Sequence, residues 1–462
     1  MSDANAVGAE NRRRFVLDLR DKFIEMSRMP PEILDEVLHA ELKQIASFAK
    51  IRIPWYTNEF PASNEISSST SLTQLLSMLP ILKRKDVQDN FDGMYFKSPE
   101  HNESDYAIQA TSGSTSKPVS VMKFAPLYSA EYDALTLTEW YLQQHDITKS
   151  IASFRLTNEE NDNVPIGPPL SYIGANRRTT ARSILHNSIE QLLEELHRLK
   201  PDYLFVNGVV LRQLALTQMQ SDLPRISVEN ILTVSDRIDP ELRELVNEVF
   251  ESRIIDSYSS EEFGYIALQC PKHNHLHVWA PSVVIEIVDE FGNPCPVGIP
   301  GRVLVTSLHN FAMPLIRYEI GDIAQFGAAC ESGLAWPVIE RIVGRTRAAV
   351  TLSNGDFHLV TFFECEFMKM RNITDFQVVL FDDVIAFIYH ANSPLEVHEL
   401  EIIETELVSA FRCGVPVVFR EVPNNHWQKL WKRSEWDRIE LPYSNKLSDS
   451  ELLSLLNSLI SR

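Results

Sequence analysis

Between residues 151 and 256, short β-branched and aliphatic runs alternate with longer amphipathic ones. That alternation constrains the fold more than any other feature of the chain. Ile151–Leu156, Tyr203–Val206, Ile231–Val234 and Ile254–Asp256 read as strands. Ser188–Leu199, Leu211–Gln220 and Pro240–Phe250 read as helices between them. Strands separated by helical crossovers build a mainly parallel sheet covered by helices, so the expected class is α/β.

The flanking segments have other patterns. Residues 1–9 read as disordered, and residues 11–60 as two helices separated by Pro30-Pro31. Leu79–Val87 opens a further helix whose basic trio, Lys83-Arg84-Lys85, is either a solvated face or a phosphate patch. Ser129–Asp146 reads as an amphipathic helix. Residues 283–326 hold three strands separated by Gly292-Asn293-Pro294 and Val297–Gly301, an antiparallel, turn-rich segment. From residue 345 a hairpin, a helix at Leu395–Phe411 and a strand at Val417–Glu421 form a small α+β unit with its own apolar set. The expected division is therefore a large domain over residues 1–344 and a small one over 345–462.

Composition enters by exclusion. A net charge of −20 argues against nonspecific nucleic-acid binding, which needs a basic face. No apolar run reaches the ~18–20 residues of a membrane span. The polar start, with Arg12-Arg13-Arg14 ahead of any apolar segment, does not read as a secretory signal. Five cysteines in 462 residues make a disulfide scaffold a poor expectation and a reducing cytoplasm the default.

Two stretches carry readable chemistry. Ala110–Pro118 packs Thr111, Ser112, Gly113, Ser114, Thr115 and Ser116 ahead of Lys117. Such a run brings backbone N–H groups and hydroxyls onto an anion without steric cost, and the lysine adds charge. The Walker spacing is absent, so the alternatives are a different phosphate grip or a Ser-rich linker. In Tyr258–Gly264 an aromatic that can stack on a base precedes Glu262, a carboxylate able to hold Mg²⁺.

These stretches, together with Met313–Asp322, Arg341–Arg345 and Val422–Lys429, resemble the motifs of the adenylate-forming enzymes. That superfamily comprises acyl-CoA synthetases, luciferase and peptide-synthetase adenylation domains. Within it the likeness is to the phenylacetate–CoA ligases. The matched patterns are T-S-G-[ST]-T-G-K-P, "YGSTEFG", "MPLIRYRTGD", "RIxGRxDD" and "LPxTxxGK". Ser116 stands for a glycine, Ser259 for a glycine, Glu261 for a threonine, and Arg347 and Ala348 for two acids.

The resemblance implies a large N-terminal α/β domain and a small mobile C-terminal α+β domain. It implies activation of a small carboxylic acid by ATP to acyl-AMP, then thioester formation with coenzyme A or a carrier protein. Adenylyl transfer to a cofactor or protein, or an impaired nucleotide-binding homologue, are the alternatives, and a homodimer is left open. By the same resemblance Thr111, Ser112, Gly113, Ser114, Thr115 and Lys117 would grip phosphates. Tyr258 would stack on adenine, Asp322 would hold the ribose, and Arg341 and Arg345 would face the nucleotide. Arg317 would be a structural ion-pair partner or a phosphate contact. Glu262 would hold Mg²⁺, and Lys429 would be the catalytic lysine, with Lys432 and Lys446 as alternatives. Cys270, His273 and Cys330 match a structural Zn²⁺ clamp whose fourth position is Ser332; His275 or His277 are the substitutes. The acid pocket is expected near Tyr132–Trp140, Phe205–Val210 and 234–236.

Overall fold

The computed structural model describes residues 2–111, 118–157, 160–164, 166–234, 238–345, 349–351, 357–360, 362, 365–381, 384–412, 414–423 and 436–438. The chain opens with helices α1 (Ser2–Met26), α2 (Pro31–Arg52) and the short α3 (Pro54–Glu59), α4 (Ser63–Ser68), α5 (Leu72–Met78) and α6 (Arg84–Asn90). Helix α1 begins at Ser2, so residues 2–9 are helical and not disordered; Ala4, Ala6 and Ala9 there are strong helix formers. Pro31 starts α2 at a position where its missing N–H costs nothing.

A two-stranded hairpin follows, β1 (Tyr106–Ala110) and β2 (Ser120–Phe124), then helix α7 (Ala125–Leu142). The next strands are β3 (Ile151–Arg155), β4 (Asn161–Asp162), β5 (Thr179–Ser183), β6 (Tyr203–Val206), β7 (Asn230–Val234) and β8 (Arg253–Ser260). Helices α8 (Ile189–Leu199), α9 (Gly208–Gln220) and α10 (Pro240–Phe250) are interleaved with them. Strands β3, β5, β6, β7 and β8 run parallel, as the alternation requires. Leu192, Leu196, Leu211, Leu214, Leu245 and Val249 bury the inner faces of the three helices in one apolar cluster with this half of the sheet.

The sheet does not stop there. Strands β9 (Gly264–Gln269), β10 (Leu276–Val278), β11 (Val283–Val288), β12 (Gly301–Ser307), β13 (Tyr318–Phe326) and β14 (Val338–Arg345) continue it antiparallel. The full order is β11-β12-β13-β14-β10-β9-β8-β7-β6-β3-β5-β4. The turn-rich segment expected over 283–326 thus shares a sheet with the parallel strands. Helices α1 and α3 close its core: Phe23 lies edge-on to Trp279 with ring centroids 5.5 Å apart, and the Tyr56 hydroxyl donates to the Pro314 carbonyl at 2.6 Å.

The remaining strands are β15 (Ala349–Thr351), β16 (Phe357–Leu359), β17 (Ile373–Leu380), β18 (Ile385–Ala391), β19 (Val417–Glu421) and β20 (Trp436–Arg438), with helix α11 (Val397–Phe411). Four of them form a separate sheet, β19-β18-β17-β20. Phe362, Phe367, Phe387, Leu407 and Phe411 give it a core of its own. Strand β14 runs through the expected 344/345 boundary and ends at Arg345.

Candidate active site

Strand β8 is where the sheet changes direction: β7 pairs with it in parallel and β9 antiparallel. The β8–β9 turn holds the Tyr258–Gly264 stretch, and the register slips between Tyr258 and Ser259. Gly264 has φ +76°, and a Cβ there would approach the Tyr128 hydroxyl to 3.2 Å, so the position suits glycine twice over.

Tyr258 donates from its hydroxyl to Oδ2 of Asp322 at 2.6 Å. Three strands lie between β8 and β13 in the sheet order, but β13 and β14 shift register twice and bend. Arg345 lies opposite Asp322 in that pair and places Nε 3.1 Å from Oδ1. Asp322 is buried while the Arg345 side chain is 60% exposed. Burial, and then the Asp322 carboxylate, push the Tyr258 hydroxyl well above its ordinary pKa, so it stays a donor.

Glu262 is buried one turn further on. Its Oε1 accepts from the Tyr318 hydroxyl at 3.4 Å and lies 3.8 Å from Nη1 of Arg84. The other Arg84 nitrogen donates to the Thr111 hydroxyl at 3.1 Å. That hydroxyl also accepts from the Val119 N–H at 3.0 Å, and the Thr111 N–H donates to the Val119 carbonyl at 2.9 Å. Thr111 therefore clasps the two ends of the Ser-rich loop beside Glu262. Arg84 belongs to this site, where the sequence alone leaves a solvated face open.

Arg317 is a structural ion-pair partner. Its guanidinium binds both oxygens of Glu286 at 2.9 Å and donates to the Leu79 carbonyl at 2.6 Å. It does so at φ +52°, an unfavourable backbone for arginine that these bonds offset. The Leu82 N–H donates to the Arg317 carbonyl at 3.0 Å and Leu82 accepts from Glu319 at 2.9 Å, which docks the segment before α6 on β13. Arg341 donates to the Gln325 side chain at 3.3 Å on the paired strand.

Beside Glu262 opens a cavity of about 390 Å³, walled mainly by apolar groups including Phe96, Phe124, Leu135 and Phe311. Lys123, on β2, is 3% exposed and lines it. Its Nζ donates to the Glu261 carbonyl at 2.9 Å and sits 3.9 Å above the Tyr128 ring. Burial pulls its pKa down to about 8 against the opposing pull of Glu261, Glu262 and Glu131. Glu131 accepts from Ser282 at 2.7 Å and from His309 Nδ1 at 2.5 Å, with Glu41 3.7 Å from the other ring nitrogen. Burial alone would lower His309; Glu131 and then Glu41 outweigh it and raise the pKa to about 10, so the ring is an imidazolium between two carboxylates. The cavity meets the expected region at Tyr132 and Leu135, but Phe205–Val210 are not among its walls, because β7 separates β6 from β8 and the turn that follows it.

A second cluster sits at the β9–β10 turn. Ligand atoms of Cys270, His275, His277 and Cys330 lie within 4.8 Å of one another. The sulfurs are 3.7 Å apart, close to the roughly 3.8 Å edge of a tetrahedron with ~2.3 Å zinc–sulfur bonds. His277 Nδ1 donates to the Trp336 carbonyl at 2.9 Å, leaving Nε2 as a lone pair. His275 Nε2 is buried with no hydrogen-bond partner among the described residues. Burial lowers the pKa of both rings, that of His277 to about 4, which keeps them neutral. The donor set fits zinc. His273 is not part of it: its ring stacks on that of His275 with centroids 5.2 Å apart, but it lies in the turn two residues earlier and is not in the cluster of mutually close ligand atoms. Ser332 stands by, its hydroxyl 3.4 Å from His277 Nε2 and its N–H donating to Cys330 Sγ at 3.3 Å.

No protein-family model matches the chain. It is 22% identical over 333 residues to phenylacetate-coenzyme A ligase of Thermus thermophilus, covering 70% of this chain and 72% of that one. To phenylacetate-coenzyme A ligase of Pseudomonas putida it is 22% identical over 309 residues, 64% of this chain and 66% of the other. Among solved structures, 2-hydroxyisobutyryl-CoA ligase in its postadenylation state superposes with a TM-score of 0.69 at 15% identity, over 94% of both chains. The chain has the adenylate-forming ligase fold.

On this ligase fold Tyr258, Asp322 and Arg345 come together, and so do Glu262 and Thr111, joined by Arg84. Ser112–Lys117 lie outside the described residues, as do Lys429, Lys432 and Lys446. Two features escape the sequence reading. Lys123 carries a faint signal, a lysine in alternation with the buried Val119 and Val121. The Glu131–His309 pair carries none, since its members are 178 residues apart.

Proposed function

We propose that this protein is an AMP-forming acid–thiol ligase. The observation that carries the reading is a buried aspartate, Asp322, held by Tyr258 and Arg345, with Tyr258 within electrostatic reach of Glu262, which lines a mainly apolar cavity. In the first half-reaction an oxygen of the acid attacks the α-phosphorus of ATP, and pyrophosphate leaves. In the second a thiol attacks the acyl carbon, and AMP leaves. The acceptor is coenzyme A or a carrier protein; the relatives named above are coenzyme A ligases, which favours coenzyme A.

Each residue has a task in this scheme. Asp322 would accept both ribose hydroxyls and Tyr258 would offer its ring to adenine. Thr111, with Ser112, Gly113, Ser114, Thr115 and Lys117, would bind the phosphates through N–H groups, hydroxyls and one ammonium. Arg341 and Arg345 would face the nucleotide. Glu262 is the carboxylate that would hold Mg²⁺, an ion that supplies positive charge to the phosphates when bound. Lys429 would bridge acid and α-phosphate and stabilise charge that develops in the transition state. Cys270, Cys330, His275 and His277 would hold a structural zinc that ties the β9–β10 turn to the loop before β14.

Glu261, at the position of the resembled threonine, would repel phosphate if it faced one. Its side chain is exposed and its carbonyl is turned to Lys123, an arrangement that tolerates the carboxylate. The deciding experiment is a pyrophosphate-release assay with ATP, Mg²⁺ and a panel of acids that includes phenylacetate, anthranilate and 2-hydroxyisobutyrate. Acid-dependent release, followed by thioester on adding coenzyme A, is the expected result. ATP binding without release under any acid would leave a nucleotide-binding homologue; release without a thioester would favour adenylyl transfer.

A further inference from the structure

Lys123 is a buried ammonium in an apolar wall, and among the described residues no carboxylate oxygen comes within ion-pair distance of it. An ammonium has three donors. One goes to the Glu261 carbonyl and the charge rests on the Tyr128 ring, at 2.9 Å and 3.9 Å. Burying a cation with so little compensation costs several kcal/mol, and the cost is recovered when an anion arrives beside it. The rest of the wall is mainly apolar, with Phe48, Phe96, Phe124, Leu127, Leu135 and Phe311, and its other charged groups include the carboxylates Glu131 and Glu262, so what enters is an apolar body whose one anionic end seeks Lys123.

We propose that Lys123 binds the reacting carboxylate of the acid; this rests on the ligase reading above. Lys123 is anchored to the backbone of Glu261, the residue before Glu262, so it stands on the side of the cavity that holds the carboxylate assigned above to Mg²⁺ and the phosphates. On the Glu131 side of the wall one imidazolium, His309, stands between two carboxylates, Glu131 and Glu41, so that side carries net negative charge and repels a second anion. The substrates are therefore monocarboxylic acids with an aromatic or branched aliphatic body, and diacids are excluded.

The test compares wild type with Lys123→Met and Lys123→Arg in the pyrophosphate assay, varying acid and ATP separately. Lys123→Met is expected to raise the KM for the acid by about thirtyfold, the loss of one charge-assisted bond. The KM for ATP should stay within about twofold, and Lys123→Arg should recover most of the loss, which a packing role would not predict. Phenylmalonate is the probe for a second anion: were Lys123→Met to impair only that diacid, Lys123 would read a distal group and the proposal would be overturned. Should Lys123→Met not fold, reductive methylation of wild type followed by peptide mass spectrometry replaces it. Lys123 should then be protected by the active acid, and equal labelling with and without acid overturns the proposal. A wild type that releases no pyrophosphate with any acid brings down the ligase reading and this proposal together. An active wild type with an unchanged acid KM in Lys123→Met brings down this proposal alone.

Discussion

Both carboxylate oxygens of Asp322 have partners, Tyr258 on one and Arg345 on the other. A ribose would more readily displace Arg345, whose side chain is largely exposed, than the buried Tyr258 hydroxyl. Two charge-assisted bonds at ~1.5–3 kcal/mol each, with ~1.4 kcal/mol per tenfold, set the expected loss. Asp322→Ala should weaken ATP binding about a hundredfold or more. Calorimetric titration, with a thermal melt as a fold control, checks this, and undiminished ATP affinity in a folded variant would remove Asp322 from the nucleotide site. The sequence singles this residue out because its motif is local, ten consecutive residues, Met313–Asp322, although its partners Tyr258 and Arg345 are not. Glu131 and His309 were not legible, because a pair of common residue types acquires meaning only when the fold closes 178 residues of chain.

At the scale of elements, the strands and helices of the parallel half were readable because each has its own hydrophobic period; Tyr203–Val206 and Pro240–Phe250 stand as expected. The sheet order was not, because strand neighbours depend on contacts between distant segments. The metal cluster shows the same limit at finer grain. The spacing Cys270-Pro271-Lys272-His273 points to His273, but the turn that carries this histidine places it outside the cluster. The cluster takes His275 and His277 instead, and that choice depends on the path of the turn between β9 and β10, which the spacing does not show. Protein purified without added zinc is expected to carry one zinc per chain by elemental analysis. The metal should be lost in Cys270→Ser and in His275→Ala, and kept in His273→Ala. Well-folded protein free of zinc would reduce Cys270 and Cys330 to packing roles.

For the whole molecule, the question is how the small C-terminal unit serves the site. Strand β19 pairs with β18, and the chain stays tied one residue further: the Val422 N–H donates to Tyr389 at 2.8 Å and its carbonyl accepts from His390 Nδ1 at 2.9 Å. Lys429 follows seven positions later, within roughly 25 Å of extended chain from that anchor. A lysine delivered from a separately cored unit can serve one chemical step and be withdrawn for the next. If Lys429 works this way, Lys429→Ala should slow acyl-adenylate formation about a hundredfold, or ~2.7 kcal/mol of barrier. The same variant given synthetic acyl-adenylate should transfer the acyl group to coenzyme A at close to the wild-type rate. Lys432→Ala and Lys446→Ala should leave both half-reactions within a few-fold of wild type. The split between half-reactions is the decisive readout, because misfolding would depress both. Equal loss in both, or loss in neither, would take the role from Lys429 and make Lys446 the next residue to test.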